Sequence, residues 1–256
     1  MKAPFAFFKK EILAQLRSGK LLFLTILFVL FGIMNPAVAK MTPWLMELFA
    51  ESLEQGGMII TQVEVTAMDS WVQFYKNIPM ALIAFVLIEG NLFTQEYQSG
   101  TLLLSLTKGL ARHQVLLAKT SLLVMLWSLG YWLCFGITYG YNAYFWDNAI
   151  AQNLMFSVVC WWIFGLWVIS LTVLFSTLAK ENSIVFVGVG GIALASSLLG
   201  FLPQLQKFLP TQLSDGNSLI YGIAEPGKYT PALLVTIAMS LACLIISIPL
   251  FNKKQL

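Results

Sequence analysis

Six predominantly apolar stretches divide this chain, at about 21–39, 78–94, 120–145, 154–179, 183–202 and 231–251. A bilayer core takes about 20 apolar residues in helical form, and it contains no water to satisfy a bare backbone. A stretch of that length and composition is therefore expected to close its hydrogen bonds internally, as a helix. Charged residues make up only 11% of the chain and hydrophobic ones 58%, against about 25% charged in an ordinary soluble domain. The expected fold is an all-α integral membrane protein. Its six transmembrane helices form a single membrane domain over residues 1–256.

The charges between the stretches set an orientation. Lys2, Lys9, Lys10, Arg17, Lys20, Lys108, Arg112, Lys119, Lys180, Lys253 and Lys254 fall on one side, and Lys40, Lys76, Lys207 and Lys228 on the other. Basic residues collect on the cytosolic side of a membrane protein. Both termini are thus expected in the cytosol. Residues 4–20 read as an amphipathic helix lying in the interface. Phe5, Phe8, Ile12 and Leu16 make its apolar face, with Lys9, Lys10 and Arg17 beside or opposite. Ala37-Val38-Ala39 imitates a signal-peptidase site. The basic region before it is long for a signal peptide, so the first stretch reads as a retained span.

Residues 40–77 form a polar outer segment carrying five acids. Thr42-Pro43 reads as a helix start, with Trp44, Leu45, Leu48, Phe49 and Leu53 on an apolar face, and Gly56-Gly57 as its end. A second helix, from about Thr61 to Tyr75, leads into the next span. Trp71, Tyr75, Tyr144 and Trp146 stand at the height of an outer aromatic belt. Gly188, Gly190, Gly191 and Ala195 provide small residues for a close helix contact, within the chain or across a dimer. Trp127, Tyr131, Trp132, Trp161, Trp162 and Trp167 read as packing, and Cys134, Cys160 and Cys243 as small buried apolar residues.

Several chemistries lack their residues. No G-x-x-x-x-G-K-[ST] phosphate loop occurs, so the chain has no such means of hydrolysing a nucleotide. His113 is the single histidine, which excludes a histidine-built metal cluster. Catalytic residues, cofactors and metals are all read as none on this chain. Glu89 is the one ionisable residue clearly inside a span. It is either structural, near the cytosolic end, or part of a transport path.

The segment from Glu96 to Lys119, between the second and third spans, organises the reading. Leu102, Leu103, Leu104 and Leu106 fill a run far too short to span. Ser99 and Thr101 suit a helix start and Gly109 a helix end. The expectation is a short greasy helix on the cytosolic surface, which needs a cover. Glu96, then Gly100-Thr101, then the leucine turn, then Gly109, Arg112 and Lys119 resemble the motif of the type-2 ABC permease family, the membrane subunits of ABC exporters. In detail the resemblance covers about 24 residues. Many members carry Pro where Gly109 stands.

The resemblance implies a coupling helix seated in a separate ATP-binding cassette subunit, with ATP and Mg bound there. Its interface would comprise Glu96, Gly100, Thr101, Leu102, Leu103, Leu106, Gly109, Arg112 and Lys119. Arg112 and Lys119 would meet acids of that subunit or lipid phosphates, and Glu96 would cap or pair locally. A second permease copy, identical or related, would complete the path for a hydrophobic or amphipathic substrate (a drug, peptide or lipid) moving out of the cell. No nucleic-acid partner is expected. The rival readings are a membrane protein without transport, such as a peptide-immunity or assembly factor, and a stand-alone carrier using Glu89.

Overall fold

The computed structural model describes residues 2–48, 64–95, 100, 110–179 and 181–254. In chain order the helices are α1 (Lys2–Arg17), α2 (Lys20–Leu48), α3 (Ala67–Glu89), α4 (Arg112–Phe145), α5 (Leu154–Leu178), α6 (Asn182–Leu199), α7 (Pro203–Gln206), α8 (Gly216–Ile220) and α9 (Thr230–Lys253). Among the described residues there is no strand. Helices α2 to α6 and α9 are long and apolar enough to cross a membrane. The protein is an all-α membrane protein with six such helices.

Helix α2 corrects one expectation. It does not end near Ala39 to restart at Thr42-Pro43; it runs unbroken to Leu48 through Pro36 and Pro43. Proline lacks the N–H that the carbonyl four residues back would accept. For Pro36 that carbonyl belongs to Gly32, and the Thr138 hydroxyl on α4 donates to it at 3.0 Å. A neighbouring helix thus closes the gap, as a span in lipid requires. Phe49 and the rest of that expected apolar helix, with Gly56-Gly57, lie outside the described residues.

Helix α3 starts later than about Thr61 and continues into the span without a break. Thr66 caps it, its hydroxyl accepting from the Met68 amide while Asp69 accepts from the Thr66 amide at 2.8 Å. The helix stops at Glu89, where Gly90 takes the C-cap position. A Cβ at Gly90 would approach the Val86 carbonyl and the Phe186 ring closer than 3.0 Å.

The core is an aromatic column. The Trp127 ring lies 5.9 Å from Phe28, 5.7 Å from Phe85 and 5.3 Å from Tyr131, and Phe74 follows at 6.0 Å from Tyr131. These edge-on and tilted pairs suit the ring quadrupoles. Gly130 admits Phe28 and Gly165 admits Trp127, since a Cβ at either would collide with the ring. Helices α2, α3 and α4 pack around this column, and α5 joins it to α6 and α9. The three cysteines are free and buried.

Two faces differ from expectation. Trp71 and Tyr75 do not form a lipid-facing belt. Both are buried, with Trp71 Nε1 donating to Asn148 Oδ1 at 3.1 Å and the Tyr75 hydroxyl 2.6 Å from that of Ser157. Tyr144 is exposed. On α1 the buried stripe is Phe7, Glu11 and Gln15, whereas Phe5 is 73% exposed and Leu16 54%. The helix turns Glu11 and Gln15 inward to charged and polar partners on the bundle, with Phe7 buried beside them and Phe8 and Ile12 half-buried against the core. Phe5 and Leu16 are left outward, where lipid is the natural cover. Among the glycines of α6, only Gly188 touches a neighbour, the Phe175 ring; Gly190 and Gly191 face open space.

Candidate functional site

The basic end of the bundle, where α1 meets the start of α4, gathers the polar contacts. Arg112 opens α4 and turns its guanidinium on the last turn of α9. Nη1 donates to the carbonyls of Phe251, Asn252 and Lys254 at 3.3, 3.1 and 2.6 Å. A helix end leaves its final carbonyls without partners and partly negative, so a cation is the fitting cap. Lys254 Nζ then does the same for α5, donating to Ala179 at 2.6 Å and Ser176 at 3.3 Å.

Lys119 lies two turns inside α4 and is 1% exposed. Nζ donates to Glu11 Oε2 at 3.0 Å and to the Leu92 carbonyl at 3.2 Å, with the Phe93 ring 5.8 Å away. Glu11 also receives Lys10 at 3.0 Å. Burial alone raises the Glu11 pKa, but the charge and hydrogen bond of Lys119 and those of Lys10 outweigh it and hold the carboxyl below its ordinary value. The Lys119 ammonium is enclosed by this chain, because α1 covers it and brings the counter-charge.

Glu89, the last residue of α3, is 1% exposed. Gln15 Nε2 donates to its Oε2 at 2.5 Å, while Oε1 has no hydrogen-bond partner among the described residues. Lys20, at the start of α2, donates to Asn91 Oδ1 at 2.7 Å and to the Ile88 carbonyl at 3.1 Å. Thr94 donates to Asn182 at the start of α6. Thus α1, α2, α4 and α6 all hold the short segment from Glu89 to Gln95.

That segment is the root of the organising loop. Glu96, Thr101, Leu102, Leu103, Leu106 and Gly109 lie outside the described residues. Gly100 has a positive φ of 67°, the left-handed region that favours glycine, with open space where a Cβ would stand. Of the expected site residues, Glu89 and Lys119 are brought into one buried cluster with Glu11 and Gln15. Arg112 stands apart at the end of α9. Sequence reasoning missed Glu11 and Gln15. Their signal was present: two polar residues four apart on one face of a helix otherwise read by its apolar stripe.

A second feature lies in the span region. Helices α3 and α6 diverge over α5 and leave an apolar groove of about 490 Å³, lined in part by Leu82, Val86, Trp161, Phe164, Phe186 and Val189.

Comparison with curated proteins returns no match. The family model described as "ABC-2 family transporter protein" matches residues 5–256, nearly the whole chain. With the six-helix architecture this makes the protein a multi-pass membrane component of the transport kind, suited to work with an ATP-binding subunit. The chain belongs to the ABC-2 family of transporter proteins.

Proposed function

We propose that this chain is the membrane-spanning subunit of an ATP-driven exporter, powered by a separate ATP-binding cassette subunit that docks on residues 96–112. ATP and Mg bind on that partner, and two permease copies, identical or related, enclose the path. Membership of the ABC-2 family over residues 5–256 carries the reading. The convergence of α1, α2, α4 and α6 on the root of the loop supports it, since force arriving there reaches most of the bundle. The excess of basic residues at that end favours a cytosolic position for it and for both termini, in a bacterial cell membrane.

The apolar groove between α3 and α6 suits a hydrophobic or amphipathic cargo. A stand-alone carrier using Glu89 draws less support. Gln15 engages that carboxylate, and among the described residues Glu89 is the one buried acid of the spans, with the buried rings of Phe28, Phe85 and Trp127 packed together in the core. Capture of an ATP-binding subunit with the permease from native membrane tests the proposal. Replacing Leu103 and Leu106 together by Asp leaves the chain inserted but detaches that subunit, because buried leucines contribute about 1.5–3 kcal/mol each. A doubly substituted chain that still holds its ATPase overturns the docking assignment.

A further inference from the structure

The N-terminal helix is tied to the bundle at the one place from which the organising loop departs. Its two buried polar residues address two different structures there. Glu11 holds Lys119 at 3.0 Å, and Lys119 in turn holds the Leu92 carbonyl at 3.2 Å. Gln15 holds the last carboxylate of α3. Leu92 and Gln95 lie in the turn after α3, their amides bonded to the Glu89 and Asn91 carbonyls at 3.0 and 2.9 Å. Phe7 packs into the core beside Glu11 and Gln15, with Phe8 and Ile12 half-buried against it; the polar contacts of Glu11 and Gln15 add direction to that docking.

We infer that Glu11 and Gln15 are positioning residues: through Lys119 and Glu89 they fix the root of the loop, residues 89–95, so that movement of the ATP-binding subunit is transmitted to the spans. This rests on the reading of the chain as a permease driven from outside. A buried ion pair between Glu11 and Lys119 is a costly way to hold a helix that packing alone could hold. Its benefit is geometry, because the ammonium that Glu11 holds is the one that reaches the Leu92 carbonyl.

The test uses the full permease purified with its ATP-binding subunit and set in lipid nanodiscs. Glu11→Gln removes the Glu11 charge from the buried Lys119. The paired change Glu11→Leu with Lys119→Met removes both charges and so restores a foldable apolar contact. In both variants we expect amide exchange at Leu92 and Gln95 to rise at least tenfold. The ATP-binding subunit stays bound, and permease-dependent ATP hydrolysis falls at least fivefold. Melting temperature recovers only in the paired variant.

A purely structural ion pair predicts the opposite: hydrolysis and exchange return to normal together with stability in the paired variant. That result overturns the inference. Raised exchange with unchanged hydrolysis also overturns it, by removing the link to transmission. Should the paired variant fail to fold, Gln15→Leu keeps the ion pair and is read by the same two measurements, with a threefold rise in exchange expected. Exchange is measured on the chain without its partner as well. Failure to recover any ATP-binding subunit with the unaltered chain therefore counts against the proposed function alone.

Discussion

Two polar clusters hold this bundle, and they are built from different material. At the basic end the bonds are ionic: Glu11 to Lys119, with Gln15 on Glu89 and Lys20 on Asn91. Between α2, α3 and α4 they are neutral. Asn77 Nδ2 donates to Asn35 Oδ1 at 2.8 Å, Asn35 Nδ2 to the Thr138 hydroxyl at 2.9 Å, and Thr138 to the Gly32 carbonyl at 3.0 Å. Both are buried. Neutral amides suit a region surrounded by lipid, where a broken bond leaves a modest penalty. Ion pairs suit the end of the bundle, where water is near enough to receive a charge once released. The neutral cluster aligns helices, and the ionic one sits where a moving partner is proposed to act.

Predictions follow that contrast in order of size. Glu11→Ala takes a buried carboxylate away from Lys119 and is expected to destabilise by about 3–5 kcal/mol, read as a loss of thermal stability in detergent. Equal stability to the unaltered chain would erase the distinction between the clusters. Gly165→Val drives a side chain into Trp127. Overpacking of this kind costs about 1–3 kcal/mol, measurable in the same melts, and it tests the column that separates the two clusters. Asn35→Leu removes two neutral bonds and should cost about 1–2 kcal/mol. A loss as large as that of Glu11→Ala would show the neutral cluster to be the stronger one.

Smaller effects sharpen the picture. Arg112→Ala should leave the bundle intact while amide exchange rises over residues 251–254, with about 1 kcal/mol lost from capping. Acid should also part the two clusters. Glu11 has its carboxyl held below the ordinary value of 4.5. A lowered pKa contributes stability that is complete above the ordinary value and vanishes as pH falls through the folded one. Docking of α1, followed by a fluorophore at the exposed Phe5, is thus expected to hold down to the usual carboxylate range and fail below it. The neutral cluster should not respond.

Much of the fold was legible because hydropathy over twenty residues is a strong constraint, and the six long helices follow it. What escaped were ends and faces. Helix α2 runs through Pro36 because Thr138, more than a hundred residues away, repairs the carbonyl; no local pattern announces that. Trp71 and Tyr75 carry the letters of an interfacial belt but point inward, since Asn148 and Ser157 supply their partners. At the candidate site, Glu89 and Lys119 were visible as charges beside apolar stretches. Their counterparts Glu11 and Gln15 were hidden inside a helix whose greasy stripe drew the eye. Direction, in an amphipathic helix on a membrane protein, depends on what the bundle offers, and that is a tertiary fact.

The bond from Thr138 to the Gly32 carbonyl has a mechanical corollary. That oxygen was freed by Pro36, so sliding α2 along α4 would strand it in hydrocarbon. The two helices must therefore swing as a single lever, and whatever hinge the transporter uses has to lie on other seams, such as the groove where α3 and α6 already stand apart.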